Sequence, residues 1–237
     1  MKPGSRPKAI VSWSSGKDSA FALHQVRATE AFELVGVLTT VTAAFHRVSM
    51  HGVREELLDA QAAALGLPCH KIYIPSPCPN PVYEREMTRA LTQLKSDGVT
   101  HVLFGDLFLQ DIRSYREKQL AELGLHGVFP LWMRDTAALA REMLDAGIEA
   151  FLTCVDLRKL DGSFAGRRFD GDLLRSLPAG IDPCGENGEF HTFVSAGPMF
   201  SASIPVSMGE TVQRDGFAFA DLLLLRVSLE ASTIASG

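Results

Sequence analysis

The sequence predicts an α/β protein with a Rossmann-like parallel sheet of five strands, followed by a smaller mixed α+β unit at the C-terminal end. Strand-like and helix-like segments alternate over the first two thirds of the 237 residues, which is the pattern of a parallel sheet with helices on its faces. Glycines then interrupt the helical pattern from Gly162 onward, and the tail reads as strands. With 46% hydrophobic residues, a chain of this length can bury a sizeable core.

The individual elements follow from apolar runs and from the residues that end helices. Gly66 is expected to end the second helix, because glycine accepts the left-handed conformation found at helix ends. Four prolines between positions 75 and 81 remove backbone donors and fix φ, so this segment predicts a rigid loop. The expected strands are 8–13, 34–41, 70–74, 100–104 and 150–155, and the expected helices are 17–27, 54–65, 83–95, 111–123 and 136–146.

The change in composition along the chain predicts two units. The second unit is expected to contain strands at 203–208 and 222–229, joined by a polar connection. We place the boundary between positions 125 and 160, and assign residues 1–130 to the first unit and residues 131–237 to the second.

Composition and charge exclude several functional classes. The net charge of -5 and a pI of about 5.8 disfavour a broad nucleic-acid surface. The four cysteines form no C-x-x-C pair, and Cys69, His70 and Cys78 are the nearest candidates for a zinc site. We favour the interpretation that the four cysteines are reduced thiols and do not bind zinc. No apolar run approaches the roughly 20 residues that span a bilayer, and no signal-type stretch follows the N-terminus, so a cytoplasmic protein is expected.

The segment from Ser12 to Ser19 is the most informative in the chain. An apolar strand ends in small residues and runs into a helix, so backbone N–H groups and the helix dipole can meet an anion. Ser12, Ser14, Ser15 and Ser19 supply hydroxyls and Gly16 allows close approach, while Lys17 can neutralise phosphate charge and Asp18 can hold Mg²⁺. It is not a Walker loop, because Val11 and Asp18 stand at two defining positions. The structural alternative is an ordinary capped helix start.

This segment resembles the pyrophosphate loop of the N-type ATP pyrophosphatases, which share the adenine nucleotide alpha hydrolase-like fold. Members cut ATP between the α and β phosphates, activate a substrate oxygen as an adenylate, and let a nitrogen or sulfur nucleophile displace AMP. The resemblance implies ATP and Mg²⁺ as cofactors, with Lys17 and Asp18 among the catalytic residues and Asp18 as the metal ligand. The usual loop has two glycines, and Ser15 replaces the first one here.

Further segments resemble the diphthine–ammonia ligase family, over roughly residues 8 to 210. The segment from Cys184 to Val194, which reads Cys-Gly-Glu-Asn-Gly-Glu-Phe-His-Thr-Phe-Val, is the most specific of them. The others are His51 to Glu55, Ala64 to Pro68, Leu123 to Leu125, Pro130 to Trp132 and Gly197 to Phe200. The first unit would then be the ATP-binding domain, and the second would bind the substrate.

The most specific segment also has a direct chemical interpretation. Its two glycines allow a tight path that brings polar side chains together, and such a cluster can bind magnesium, hold an amine or move a proton. We assign catalytic roles to Glu186, Glu189 and His191, and substrate binding to Asn187, Gly188 and Thr192. The alternative is a glycine-rich turn with solvated carboxylates and a structural histidine.

Four residues outside these segments are added to the candidate site. Gly105 and Asp106 follow the fourth predicted strand, where ligands of parallel sheets bind, and Thr39 lies near the end of the second. We assign these three to the nucleotide. Here the chain departs from the family pattern, which more often has a small apolar pair, then Ser, then Tyr or Gln with arginines. Arg113 is assigned to the substrate, and Arg113 or Arg116 is the candidate for a phosphate contact.

His51 precedes a helix and follows the second predicted strand. An isolated histidine in such a place is usually a cap or a surface residue. Its position and the family resemblance make it a candidate for substrate binding.

The resemblance implies an adenylating ligase that joins ammonia or an amine to a carboxylate, carried by a protein or by another acceptor. No cysteine sits in a glutaminase-type motif, so free ammonia or an amine is the expected nitrogen source. One interpretation is that the chain is a bacterial relative of this family that acts on a different acceptor.

The alternative function is an adenine-nucleotide sensor of the same fold without ligase turnover. Sulfur transfer to RNA would require a cysteine pair and a basic face, and neither is present. A homodimer is a further expectation.

Overall fold

The computed structural model describes residues 6–225 and shows two sheets and six α-helices within that range. The strands are β1 (Lys8–Ser12), β2 (Glu33–Thr42), β3 (Arg47–Val48), β4 (Cys69–Ile74), β5 (Val99–Leu103), β6 (His126–Val128), β7 (Glu149–Asp156), β8 (Phe190–Ala196), β9 (Val206–Arg214) and β10 (Phe217–Leu224). The helices are α1 (Lys17–Thr29), α2 (Glu55–Leu65), α3 (Asn80–Ser96), α4 (Gln110–Glu122), α5 (Thr136–Asp145) and α6 (Gly171–Ser176). None of the helices in this range has the length and apolar composition needed to cross a membrane.

The first sheet confirms the predicted Rossmann-like architecture. Five strands are parallel in the order β4–β2–β1–β5–β6, and the two-residue β3 adds an antiparallel edge to β2. After β1, the strands β2 and β4 are added on one side of β1, and β5 and β6 are then added on its other side. Strand order therefore reverses between β1 and β5, which is where ligands bind in such sheets.

The second sheet is antiparallel, in the order β8–β7–β10–β9. The strand predicted at 150–155 forms as β7 but belongs to this sheet, and the short β6 is the fifth parallel strand instead. The predicted tail strands are shifted: β9 begins three residues after position 203 and β10 begins at Phe217. Residues 226–229 of the last prediction lie outside the described part of the chain. β8 occupies a segment that the glycines had marked as a turn.

One helix begins earlier than the proline pattern predicts. α3 starts at Asn80, inside the expected rigid loop, with Pro81 in its first turn. Proline is tolerated there because the first N–H groups of a helix have no intrahelical partner. Gly66 ends α2 in the left-handed conformation, with φ 67°, as expected.

The two faces of the parallel sheet are covered differently. One face carries a cluster that includes Ile10 and Ile72, packed against Leu91 and Leu94 of α3. The other carries a larger cluster that runs through α1 and α2 into β8 and β10 of the second sheet. The second sheet therefore packs onto the first one through a continuous apolar core.

Gln61 of α2 joins the two sheets at the centre of this core. Its side chain is fully buried. The Nε2 group donates to the carbonyl oxygens of Ser15 (3.1 Å) and Val194 (2.7 Å), and Oε1 accepts from Trp13 Nε1 at 2.9 Å. All its polar atoms are thus used to connect the β1–α1 loop to β8.

We expect Gln61→Leu to lower the free energy of unfolding by about 2–4 kcal/mol, because buried polar partners of Gln61 lose their hydrogen bonds. Urea denaturation followed by circular dichroism measures this change. Gln93→Leu on the exposed face of α3 is the matched control and should change stability by no more than about 0.5 kcal/mol. Equal effects of the two substitutions would contradict this account of Gln61.

Candidate active site

A cavity of about 250 Å³ lies at the carboxyl ends of β1 and β5. Eleven of the residues predicted from the sequence line it: Ser12, Ser14, Lys17, Asp18, Ser19, His51, Gly105, Asp106, Glu186, His191 and Thr192. Apolar side chains of Phe104, Leu109, Ile112 and Phe190 complete the wall, together with Gly185 and Arg116. The N-terminal loop and the C-terminal segment thus contribute to one cavity, which we call the nucleotide cavity.

Two backbone contacts hold the loop against β8. Ser15 is in the left-handed conformation, with φ 69°, and its carbonyl oxygen accepts from the Val194 N–H at 2.9 Å. The Lys17 N–H donates to Thr192 Oγ1 at 3.1 Å. A serine in this conformation costs about 1–3 kcal/mol, and the contacts to β8 offset that cost. Ser15 and Gly16 therefore shape the loop and do not line the cavity.

Lys17 is buried beneath the cavity, with 1% of its surface exposed. Its Nζ lies 3.0 and 2.9 Å from the two carboxylate oxygens of Asp18 and also donates to the Cys184 carbonyl. The rings of Phe169 and Phe190 lie 5.4 Å from Nζ on either side. Burial opposes the charge of Lys17, but the combined attraction of Asp18, Cys184 and Glu186 and the hydrogen bond to Asp18 outweigh it and raise the pKa of the lysine. A fixed positive charge therefore lies at the start of α1.

Gly105 brings the end of β5 against the first turn of α1. A Cβ at this position would lie 2.7 Å from the backbone carbon of Asp18 and 2.7 Å from the Ser19 nitrogen. These are backbone atoms, so they cannot move away as the end of a long side chain does. A residue with no side chain is needed here for β5 and the loop to meet.

Backbone N–H groups of the chain that follows β5 hold Glu186 in the cavity. Its Oε1 accepts from the N–H groups of Leu107 (2.7 Å) and Phe108 (3.4 Å). Burial, and then the nearby carboxylates of Asp18 and Asp106, raise the pKa of Glu186 to about 7, although the N–H of Leu107 lowers it. A carboxyl group that titrates near neutral pH can exchange protons during a reaction.

His51 and His191 lie side by side in the cavity. Their ring centroids are 4.4 Å apart, and Nδ1 of His51 is buried without a hydrogen-bond partner. Burial, followed by the charge of Lys17, lowers the pKa of His191 to about 4. Burial and the neighbouring His191 also place the pKa of His51 well below its ordinary value. Both imidazoles are therefore uncharged at neutral pH.

Other predicted residues support the site without reaching the cavity. Glu189 is buried, and its Oε1 accepts from the Asp182 N–H (3.2 Å) and from Asn187 Nδ2 (3.1 Å). Glu189 and Asn187 therefore shape the turn that contains Gly188 and that presents Glu186. Thr39 is also buried, and its hydroxyl donates to the Trp13 carbonyl at 2.8 Å.

Arg116 lies at the cavity, and Arg113, which the sequence analysis assigned to the substrate, does not. The guanidinium of Arg113 lies 4.6 Å from the ring centroids of Phe129 and of Trp132, outside the cavity. Arg116 lines the cavity, where it pairs with Asp106 at 2.7 Å and lies 4.5 Å from the Phe104 ring centroid. The two residues are three positions apart on α4, and the direction in which this helix faces the sheet decides which of them reaches the cavity.

Comparison with known proteins agrees with this geometry. The diphthamide synthase N-terminal domain matches residues 7–127, and the diphthamide synthase C-terminal domain matches residues 135–222. The chain belongs to the diphthamide synthase family. The chain is similar to diphthine–ammonia ligases, and the one from Danio rerio is 28% identical over 90% of this chain and 91% of its own length.

Two further relatives in the family carry the same name. The protein from Bos taurus is 27% identical over 90% of this chain and 88% of its own length. The protein from Rattus norvegicus is 33% identical over 51% of this chain and 47% of its own length. Membership of the diphthamide synthase family makes this chain an ATP-dependent amide-forming ligase.

We expect Gly105→Ala to weaken ATP binding roughly tenfold and to lower stability by about 1–3 kcal/mol. The added methyl group would push the first turn of α1 away from β5. Isothermal titration with ATP and urea denaturation measure the two effects.

Gly171→Ala is the matched control, because the added methyl group would meet only the movable guanidinium of Arg175, at 3.1 Å. Unchanged ATP affinity in Gly105→Ala would contradict the role assigned to the close approach.

Proposed function

We propose that this chain uses ATP to activate the carboxylate of diphthine, the acceptor in the names of its relatives, and joins it to ammonia. One observation carries the proposal: the phosphate-loop residues Lys17 and Asp18 line the same cavity as Glu186 and His191 of the C-terminal segment. A ligase needs both sets together, because one binds the phosphates and the other handles the nucleophile.

ATP would lie across the carboxyl ends of β1 and β5, with its phosphates at the start of α1. The hydroxyls of Ser12, Ser14 and Ser19 line that end of the cavity, and the N-terminus of a 13-residue helix attracts anions. Lys17 adds a fixed positive charge under the loop. These groups stabilise the charge that develops when the bond between the α and β phosphates breaks.

The adenine base would lie at the other end of the cavity. Phe104, Leu109 and Ile112 form an apolar wall there, and the guanidinium of Arg116 lies over the Phe104 ring. Ligand pockets usually combine such an apolar wall with a few polar groups that fix orientation. Asp106 would contribute by holding Arg116 in place.

The residues fit a Mg²⁺ ion that arrives with the phosphates. In the range 6–225, no group of three His, Cys, Asp or Glu side chains is arranged to hold a metal ion. Mg²⁺ needs only one or two carboxylates when phosphate oxygens supply the other ligands. The Asp18 carboxylate faces the cavity and keeps acceptor capacity beyond its contact with Lys17. When bound, the ion would neutralise phosphate charge.

The reaction would proceed in two displacements. A carboxylate oxygen of the acceptor bonds to the α-phosphorus, and pyrophosphate leaves with the electron pair of the broken P–O bond. Ammonia then bonds to the carbonyl carbon, AMP leaves with the electron pair of the C–O bond, and the nitrogen gives up one proton. Glu186 would receive that proton, since its carboxyl group titrates near the working pH.

The two histidines would select the nucleophile in its reactive form. A neutral imidazole nitrogen carries no charge and accepts a hydrogen bond from an N–H of ammonia, whereas ammonium has no lone pair with which to attack a carbonyl carbon. His51 and His191 would thus hold uncharged ammonia beside the activated carbonyl.

The division of labour proposed for the chain follows from these roles. Residues 1–130 would bind ATP and contribute His51 to the binding of ammonia, and residues 131–237 would take part in substrate binding and complete the cavity through Glu186 and His191. All four cysteines are unpaired, which suits a reducing compartment, so we propose a cytoplasmic location.

Labelled ATP tests the proposed reaction. With Mg²⁺, ammonium and a protein factor that carries diphthine, we expect AMP and pyrophosphate, formed only when the acceptor is present. Asp18→Asn and Lys17→Met should reduce the rate by roughly 10²-fold or more, while Asp111→Asn, in the first turn of α4, serves as the matched control for Asp18→Asn. ADP and phosphate as products would contradict the assignment, and tight binding of ATP without cleavage would favour a nucleotide sensor.

The pH dependence tests the role of Glu186. Its pKa of about 7 means that the carboxyl group is protonated below that pH and accepts protons above it. With the rate expressed per concentration of free ammonia, kcat/KM should rise through about pH 7 and then level off. In Glu186→Gln the rate should fall roughly 10²-fold or more and lose this rise. A rise that persists in Glu186→Gln would assign the proton transfer to another group.

A further inference from the structure

A second cavity, of about 470 Å³, lies beside the nucleotide cavity and has no role in the reaction as described so far. One wall comes from the connection between β2 and β3, including Phe45, and from β3 itself, including Arg47. The other comes from β9 and β10, including Val212 and Phe219. The cavity is therefore built by both sheets. We call it the outer cavity.

Three consecutive residues separate the two cavities. Met50 and Gly52 line the outer cavity, while His51 between them lines the nucleotide cavity. Met50 and Gly52 both have left-handed backbone conformations, with φ 65° and 69°. Residues 50–52, which we call the partition segment, thus line both cavities, and the residues on either side of His51 belong to the outer one.

Ion pairs hold the partition segment to the second sheet. Arg47 NH1 donates to the Gly52 carbonyl (2.6 Å) and to Asp221 Oδ1 (2.8 Å). Arg54 donates to the other carboxylate oxygen of Asp221 at 2.6 Å. Phe219 also packs against Gly52, where an added Cβ would lie 3.0 Å from its ring. The partition segment is therefore braced, which keeps the separation between the cavities short and constant.

The outer cavity has an apolar rim and mixed charges. Phe45, Met50 and Val212 are 48%, 67% and 52% exposed, and exposed apolar groups that cluster in this way mark binding surfaces. Glu210 and Arg214 add one charge of each sign to the lining. Such a surface suits a polypeptide segment, which offers apolar side chains and backbone hydrogen bonds, better than it suits a polyanion.

The nucleotide cavity has no room for an acceptor polypeptide in addition to ATP. Its volume of about 250 Å³ lies near the lower limit of small-ligand pockets, so a bound nucleotide leaves no space in it for a polypeptide segment. The acceptor must nevertheless present its carboxylate at the α-phosphate. The outer cavity is almost twice as large, opens to solvent beside exposed apolar side chains, and borders the nucleotide cavity at His51.

We propose that the outer cavity binds the polypeptide segment that carries the acceptor carboxylate, and that the reacting side chain passes the partition segment to reach the nucleotide cavity. This proposal rests on the amide-forming reaction proposed above. It assigns binding of the acceptor to Met50, Val212 and their neighbours, outside the residues that bind ATP.

Kinetics with Met50→Glu and Val212→Glu test the proposal. Each substitution places a charge on the apolar rim, so we expect the KM for the diphthine-bearing factor to rise roughly tenfold or more, with the KM for ATP changed less than about twofold. Met133→Glu is the matched control, because Met133 is also exposed (70%) and also has a positive φ (57°) but lines neither cavity. Thermal unfolding checks that all three variants are folded.

Photo-crosslinking provides a second measurement that does not depend on turnover. A photoreactive residue at position 50 should crosslink to the purified diphthine-bearing factor, and the same residue at position 133 should not. Sedimentation of the wild type and of Met50→Glu shows whether the rim is instead an interface between two copies of this chain.

The outcomes separate this proposal from the one on which it rests. Wild-type protein that forms no AMP with the factor would reject the ligase reaction on diphthine, and the acceptor site with it. Normal wild-type turnover, with Met50→Glu and Val212→Glu behaving as Met133→Glu does, would reject the acceptor site alone. Loss of a wild-type dimer in Met50→Glu, with an unchanged KM for the acceptor, would assign the rim to a second copy.

Discussion

The attachment of the β1–α1 loop to β8 is the constraint on which the rest of the structure depends. The Ser15 carbonyl and the Lys17 N–H both bond to β8, so the loop that faces the nucleotide cavity is fixed by a strand of the other sheet. Gln61 strengthens the same junction from α2. Because hydrogen bonds in a buried place are costly to leave unmade, this junction sets the relative position of the two sheets.

The electrostatics of the cavity follow from that attachment. The turn before β8 brings the Cys184 carbonyl and Glu186 to the buried Lys17 and Asp18. One lysine then faces several carboxyl groups in a space where water screens little. The result is a set of groups prepared for different tasks: a permanently charged lysine, a carboxyl group that titrates near neutral pH, and two uncharged histidines. The same geometry places acid–base groups beside the loop that would hold phosphate.

The fold leaves two spaces of different character on the two sides of the partition segment. The inner one is small and lined by charged and hydroxyl groups, which suits phosphates. The outer one is larger and has an apolar rim, and its walls come from hairpins of both sheets. His51 belongs to the inner space although its two neighbours belong to the outer one. A reaction that joins a bound nucleotide to a much larger acceptor requires two adjoining spaces of this kind.

The sequence by itself determined the parallel sheet, the phosphate loop at Ser14–Ser19 and most of the residues that line the nucleotide cavity. Those features are local, because strand and helix periodicity, small residues at a strand end and a Glu- and His-rich turn can be recognised within a few positions. Contacts between distant segments were decided only by the tertiary structure. They include the buried role of Gln61, the replacement of Arg113 by Arg116 in the cavity, and the assignment of β7 to the second sheet. Each of these depends on which face of an element packs against a partner on another element, and no short stretch of sequence contains that information.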